Sequence, residues 1–153
     1  MTNNNPANLK LAETLFQADP AVTELGFELV ESHLGAVTMA VIIEDRHMNF
    51  NGTCHGGVIF SLADSAFGLA ANTRGHVAAG INTNISFHAG SRKGDRLVAR
   101  ATETSRSRSL GTYYVEVLRG DGKVVASLTG TAFVTPDEHD ISGDNYPPVL
   151  KQE

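Results

Sequence analysis

Residues 47 to 75 read HMNFNGTCHGGVIFSLADSAFGLAANTRG, and the fold is decided by how this stretch is buried. From Val58 to Thr73 the chain is apolar round most of a helical circumference and holds no proline, which predicts a helix enclosed by the rest of the molecule. At 100° per residue, Ile59, Leu62, Ala66 and Leu69 form one side. Gly57, Ser61, Asp64, Gly68, Ala71 and Asn72 form the other, a stripe of small or polar residues with a single carboxylate, flanked by Phe60 and Phe67.

An isolated carboxylate is costly to bury, so Asp64 must face a crevice, meet a donor or take up a proton. Ahead of it, Gly56 and Gly57 leave first-turn amides unshielded, and such amides lack intrahelical partners. A helix start of this kind can receive a developing oxyanion. Donors at the first turn with an acid two turns later are two of the parts that acyl-group hydrolysis requires.

Reading outward, the period changes to two. Phe27, Leu29 and Glu31 share a face, Leu34-Gly35 make a turn, and Val37, Met39, Val41 and Ile43 alternate with Thr38, Ala40 and Ile42, which predicts a hairpin. After the helix, Gly75 reads as a C-cap. Val77, Ala79, Ile81, Thr83, Ile85 and Phe87 then alternate with Ala78, Gly80, Asn82, Asn84 and Ser86, a long strand with one small, polar face. HAGSRKGD, residues 88 to 95, is a loop, and strands follow at 96–104, 110–119 and 123–134, the last two joined by Gly120-Asp121-Gly122. Ahead of the hairpin, Leu9 to Ala18 has helical spacing, and Asp19-Pro20 caps a second short turn that Gly26 ends.

The 153 residues fit one domain, a size at which about 70% of the unfolded surface is buried on folding. We divide them into an N-terminal segment with a short helix (1–19), a main domain (20–135) and a polar tail (136–153). The fold class is α+β, with an antiparallel sheet of about six strands curved round the long helix. One sheet leaves part of that helix uncovered, so a homodimer is expected, with the site where one subunit's helix start meets the other's helix body.

Net charge is −5 with one cysteine, which gives no general attraction to nucleic acid or to an acidic membrane and no intrachain disulfide. No basic region followed by an apolar one opens the chain, and no apolar run is long enough to span a bilayer, so a cytoplasmic location is expected. An anionic ligand would need a local patch, either Arg92-Lys93 with Arg96 or the run Arg106 to Arg108. The histidines show no i, i+4 pair and there is no Cys-x-x-Cys, so no metal is expected. Cys54 beside His55 is a poor nucleophile pair, since neighbours in an extended segment point to opposite faces.

The pattern His47-Met48-Asn49, Gly52, His55-Gly56-Gly57, Ser61-Leu62-Ala63-Asp64 resembles that of the hot-dog-fold acyl-CoA thioesterases, most of all the PaaI-type phenylacetyl-CoA thioesterases. Asn84-Ile85-Ser86-Phe87 and Gly94-Asp95 extend the likeness. The resemblance implies that Asp64 is the catalytic carboxylate, as general base on water or as nucleophile, and that a backbone N–H of Gly56-Gly57 polarises the thioester carbonyl. It implies that Asn49 helps position the reacting groups and that His55 supports the loop or touches substrate. The assembly it implies is a dimer or dimer of dimers, with coenzyme A as part of the substrate and no separate cofactor.

Some relatives orient the water with a serine or threonine early in the following strand; here the nearest positions are Gly80, Ile81, Asn82 and Thr83, and the choice stays open. Phe60, Phe67 and the small side chains Gly68 and Ala71 are the expected acyl wall, with Ser61 a further substrate contact; the wall suits an aryl or arylacetyl group, as in phenylacetate degradation, with medium-chain fatty acyl groups as the alternative. Arg92 and Lys93 are the expected contacts for coenzyme A phosphates. The competing functions are a hot-dog hydratase or dehydratase pairing His55 with Asp64, and a non-catalytic acyl-CoA-binding module.

Overall fold

The computed structural model describes residues 6–142. Helices α1 (Pro6–Gln17) and α2 (Pro20–Glu24) precede strands β1 (Glu28–His33) and β2 (Ala36–Ile42); helix α3 (Gly56–Asn72) follows, then β3 (His76–Phe87), β4 (Arg96–Arg106), β5 (Leu110–Arg119) and β6 (Val124–Glu138). The strands form one antiparallel sheet in the order β1-β2-β4-β5-β6-β3. Helix α3 crosses one face of it, giving the α+β hot-dog architecture.

Alternation decides which side chains meet the helix. Val37, Met39 and Val41 of β2, Leu97, Ala99 and Ala101 of β4, and Tyr113, Val115 and Val117 of β5 are all buried. From the helix, Ile59, Leu62, Ala63, Ala66, Phe67, Ala70 and Ala71 are buried against them, and each large aliphatic side chain so enclosed contributes about 1.5–3 kcal/mol. Ala71 thus belongs to the core, not to the small stripe where helical spacing alone puts it.

Both ends of α3 are anchored by side chains. At the far end, buried Thr73 Oγ1 donates to Ala70 O (2.8 Å) and accepts the Gly35 N–H (2.8 Å), tying the β1–β2 turn to the helix. Asn72 Nδ2 donates to Gly68 O and Ala78 O, and its Oδ1 accepts the Ala78 N–H, so the start of β3 is buckled onto the last helical turn. Gly75 then reverses the chain at φ 95.

The structure departs from the sequence reading in several places. Helix α1 starts at Pro6, ahead of Leu9, because proline suits the first helical position. Strand β6 runs through Pro136 to Glu138, where a register irregularity accommodates the missing N–H, so the sheet reaches past residue 135. The rest of the expected tail, from residue 143, lies outside the described residues, as do residues 1–5. Strict alternation in β3 also fails. A bulge between Gly80 and Asn82 leaves Ile81 unpaired and reverses the faces from that point.

Candidate active site

Asp64 sits midway along α3, half-buried, and its carboxylate makes no hydrogen bond or ion pair among the described residues. Burial raises its pKa above the ordinary aspartate value. It faces a cavity of about 320 Å³ lined also by Phe67, Gly68 and Gly80 to Thr83. An unpaired carboxylate held in a cleft with a perturbed pKa is a mark of a functional group.

The bulge decides which β3 side chain shares that cavity. Thr83 pairs with Gly130 and Ile85 with Leu128, and both partners face the helix. Asn82 pairs with Thr131 on the opposite face. Of the four positions left open, Thr83 therefore directs its hydroxyl to the side of Asp64, and its side chain makes no hydrogen bond within the described residues. Asn82 reaches the rim from the other face.

Phe67 forms the cavity's floor. It is 1% exposed and tilts against Tyr113 with ring centroids 5.4 Å apart. Its ring lies so close to β3 and β6 that a Cβ at Gly80 or at Gly130 would stand 2.9 Å from a ring carbon. Sequence reasoning missed Gly130; the signal was a glycine inside a strand, which often marks a close approach. Phe60 is partly buried against the core, and Ser61 Oγ donates to Gly57 O at 2.8 Å, a local helix bond.

At the helix start the expectation of two bare amides is corrected. His55 is the N-cap, and its Nδ1 accepts the Gly57 N–H at 2.8 Å. Val58 N–H and Ile59 N–H reach His55 O, which leaves Gly56 N–H as the donor of the first turn with neither a backbone nor a side-chain partner among the described residues. A second cavity, about 380 Å³, is lined there by Gly56, Phe87, Cys54 and the loop after β3. Phe87 is half-exposed and lies 3.3 Å from where a Gly56 Cβ would be, so a side chain at 56 would crowd the ring.

The residues before the helix build its entry. Asn49 Oδ1 accepts the N–H groups of Asn51 and Thr53 and Nδ2 donates to Thr53 Oγ1, closing a tight turn. No bond joins Asn49 to His55. Buried His47 accepts the Glu44 N–H at Nδ1 and donates from Nε2 to Leu25 O, which defines a neutral, structural imidazole. The Cys54 thiol is pushed up to about 11 by burial and is no thiolate nucleophile. Arg92 and Lys93 stand away from the Asp64 cavity, with Lys93 paired to Asp45 at 2.6 Å.

The profile of the thioesterase superfamily matches residues 51–126. A putative esterase from Archaeoglobus fulgidus is 32% identical over 81% of this chain and 80% of its own. The chain belongs to the thioesterase superfamily. Acyl-coenzyme A thioesterase PaaI of Escherichia coli is 29% identical over 78% of this chain and 85% of its own. The E. coli PaaI structure superposes with a TM-score of 0.83 at 27% identity, over 86% of this chain and 95% of that one. A Streptococcus mutans protein solved bound to acetyl CoA is 28% identical, with a TM-score of 0.71, over 74% of this chain and 91% of that one. The chain is thus a PaaI-type hot-dog thioester hydrolase. No helix among its described residues is long and apolar enough to cross a membrane.

Proposed function

We propose that the enzyme hydrolyses acyl-CoA thioesters in a dimer whose sites each combine Asp64 of one copy with the Gly56 end of α3 of the other. One observation carries this reading. Within a single chain Asp64 lies eight residues beyond Gly56, about 12 Å along the helix axis, and acid and oxyanion donor cannot both serve one carbonyl across that gap. The two ends line separate cavities. Strand β3 closes one side of the sheet with its outer edge unpaired among the described residues and Ile81 and Phe87 exposed. Antiparallel pairing of two such edges would turn one helix start toward the other helix's middle. Association of such dimers into a tetramer extends the same reading.

In this site the thioester oxygen lies at the Gly56-Gly57 turn, where an amide N–H and the helix dipole stabilise the developing oxyanion. Asp64 takes a proton from water, the water oxygen bonds the carbonyl carbon, and the C–S bond breaks. Thiolate is a good leaving group, so no strong acid is needed. Thr83 orients the water from β3. The acyl group runs along Phe60, Phe67 and Gly68, whose flat apolar surfaces suit an aryl or arylacetyl group. A single, buried cysteine suits a reducing cytoplasm.

The test is thiol release from aromatic and straight-chain acyl-CoAs by wild type and Asp64→Asn, with the loss expected at about 10² or more in kcat. Undiminished turnover by the variant would remove Asp64 from the mechanism, and no release by the wild type from any ester would leave a binding protein. Single turnover in ¹⁸O-water tests for the nucleophile role: water opening an acyl anhydride at the aspartyl carbon leaves label in the Asp64 carboxylate, which a general base never acquires.

A further inference from the structure

Phe50 is 98% exposed, whereas the other exposed large apolar side chains of the described residues reach 60% at most. It stands at the tip of the turn Asn49-Phe50-Asn51-Gly52, just ahead of α3. A lone apolar residue on a surface is ordinary. This one is set apart by having almost no contact with its own chain, where a phenyl ring in water stabilises nothing.

The turn is too firmly bonded to fold the ring back. Asn49 Oδ1 accepts the N–H groups of Asn51 (2.9 Å) and Thr53 (3.2 Å), Gly52 N–H donates to Asn49 O (3.1 Å), and Asn49 N–H donates to Thr53 O (2.8 Å). Its base is pinned as well. Met48 and Cys54 form an antiparallel bridge, and Cys54 N–H donates to Ser91 O and His55 N–H to His47 O, both at 2.8 Å. Turn and helix start therefore form one rigid piece, and Phe50 goes wherever the Gly56 amide is carried.

The Asp64 cavity lacks an apolar cover to match its floor. Phe67 lies beneath it, Asp64, Asn82 and Thr83 bring polar atoms to it, and Ile81 at its border is 60% exposed. An apolar acyl group lying there would keep one side in water, which forfeits part of the gain from burial and weakens the electrostatics of the site.

We propose that Phe50 of one copy closes over the Asp64 cavity of the other and covers the acyl group there, so that the acyl site takes its walls from both copies. This rests on the dimeric thioesterase reading above, in which the Gly56 end of one α3 meets the Asp64 of the other. Continuity with that interface supports it. Half-exposed Phe87 stands 3.3 Å from where a Gly56 Cβ would be, and Ile81 of the same strand borders the Asp64 cavity, so the β3 edge shows apolar surface both at the helix start and at the acid. A cover of this kind favours bulk, because a larger acyl group has more surface to bury beneath it.

The test combines kinetics with a fluorescence reporter. Phe50→Ala removes a ring that is 98% exposed, so the single chain should unfold in urea as wild type does. KM is measured for the largest and the smallest acyl-CoA that wild type accepts. The variant is expected to raise it about tenfold for the large ester, the scale of one lost apolar contact, and much less for the small one. Equal effects on both overturn the proposal. A dimer joining an Asp64→Asn copy to a Phe50→Ala copy, isolated by two tags, keeps one live acid, which faces the intact Phe50 across the twofold. Its KM for the large ester should return to the wild-type value; a KM equal to that of the Phe50→Ala homodimer would place Phe50 in its own copy's site and overturn the proposal. The chain has no tryptophan, so Phe50→Trp supplies a sole indole. Its emission should be blue-shifted from that of the urea-unfolded protein and lose the shift on dilution to monomer, whereas emission unchanged by folding and dilution overturns the proposal. If wild type hydrolyses no ester, the thioesterase reading has failed on its own, and the emission still decides whether a second copy covers residue 50.

Discussion

The imidazole Nδ1 of His55 accepts the amide hydrogen of Gly57 at 2.8 Å, so the side chain just ahead of α3 satisfies one of the first-turn donors that an incoming carbonyl oxygen would otherwise find bare. The cap keeps the helix start rigid while Gly56 N–H remains to meet substrate. His55→Ala is therefore expected to cost about 1 kcal/mol of stability and to lower kcat/KM about tenfold by loosening the oxyanion donor. His55→Asn, which can cap in the same way, should recover most of both. Urea unfolding and initial rates measure the pair; a destabilisation of the same size in both variants would argue against the cap.

Asp64 is held in a site that raises its pKa by burial. The ionised carboxylate is therefore disfavoured by folding, and the stability this group permits is complete at acid pH and falls as pH rises through its folded pKa. Asp64→Asn should raise Tm at neutral pH by about 2 °C, and the gain should vanish once both proteins are brought below the ordinary aspartate pKa. The acid limb of wild-type kcat should fall above that same ordinary value. Thermal melts across pH check the first part, and a pH–rate profile the second.

Thr83 faces Asp64 because the bulge at Gly80 and Asn82 turns it inward. If its hydroxyl positions the water, Thr83→Val should reduce kcat about tenfold with KM little changed, while Thr83→Ser retains most activity. Asn82→Ala, on the outward face, should have the smaller effect on kcat. A larger loss at Asn82 would reverse the assignment.

Phe67 lies against the backbone of Gly130, where an added Cβ would meet three ring carbons at 2.9, 3.0 and 3.0 Å. The ring is enclosed and cannot swing away, so Gly130→Ala is expected to destabilise by about 1–3 kcal/mol. Combining it with Phe67→Leu should cost less than the sum of the two single changes, because the smaller side chain leaves room for the methyl. A double-mutant cycle by chemical denaturation reads this coupling; strict additivity would place the strain elsewhere.

Much of the architecture is written in short-range pattern. An apolar 17-residue helix with one acid and two leading glycines, a hairpin turning at Gly35, and strands punctuated by Gly75 and by Gly120 to Gly122 are each legible within a few residues. That suffices because helix and strand periods depend on neighbours in the chain.

Only the tertiary structure decided where the site's side chains point. A one-residue bulge in β3 moves Thr83 to the inner face and Asn82 to the outer, and nothing in alternating residues announces it. The rotamer of His55 determines that Gly57 is capped. Gly130 comes to lie against Phe67 because β6 passes under that ring, and Arg74, Arg106 and Arg108 form one basic lining because the end of α3 meets the β4–β5 turn. These depend on contacts between segments far apart in the chain, where the energy of each arrangement is set by packing that no local window contains.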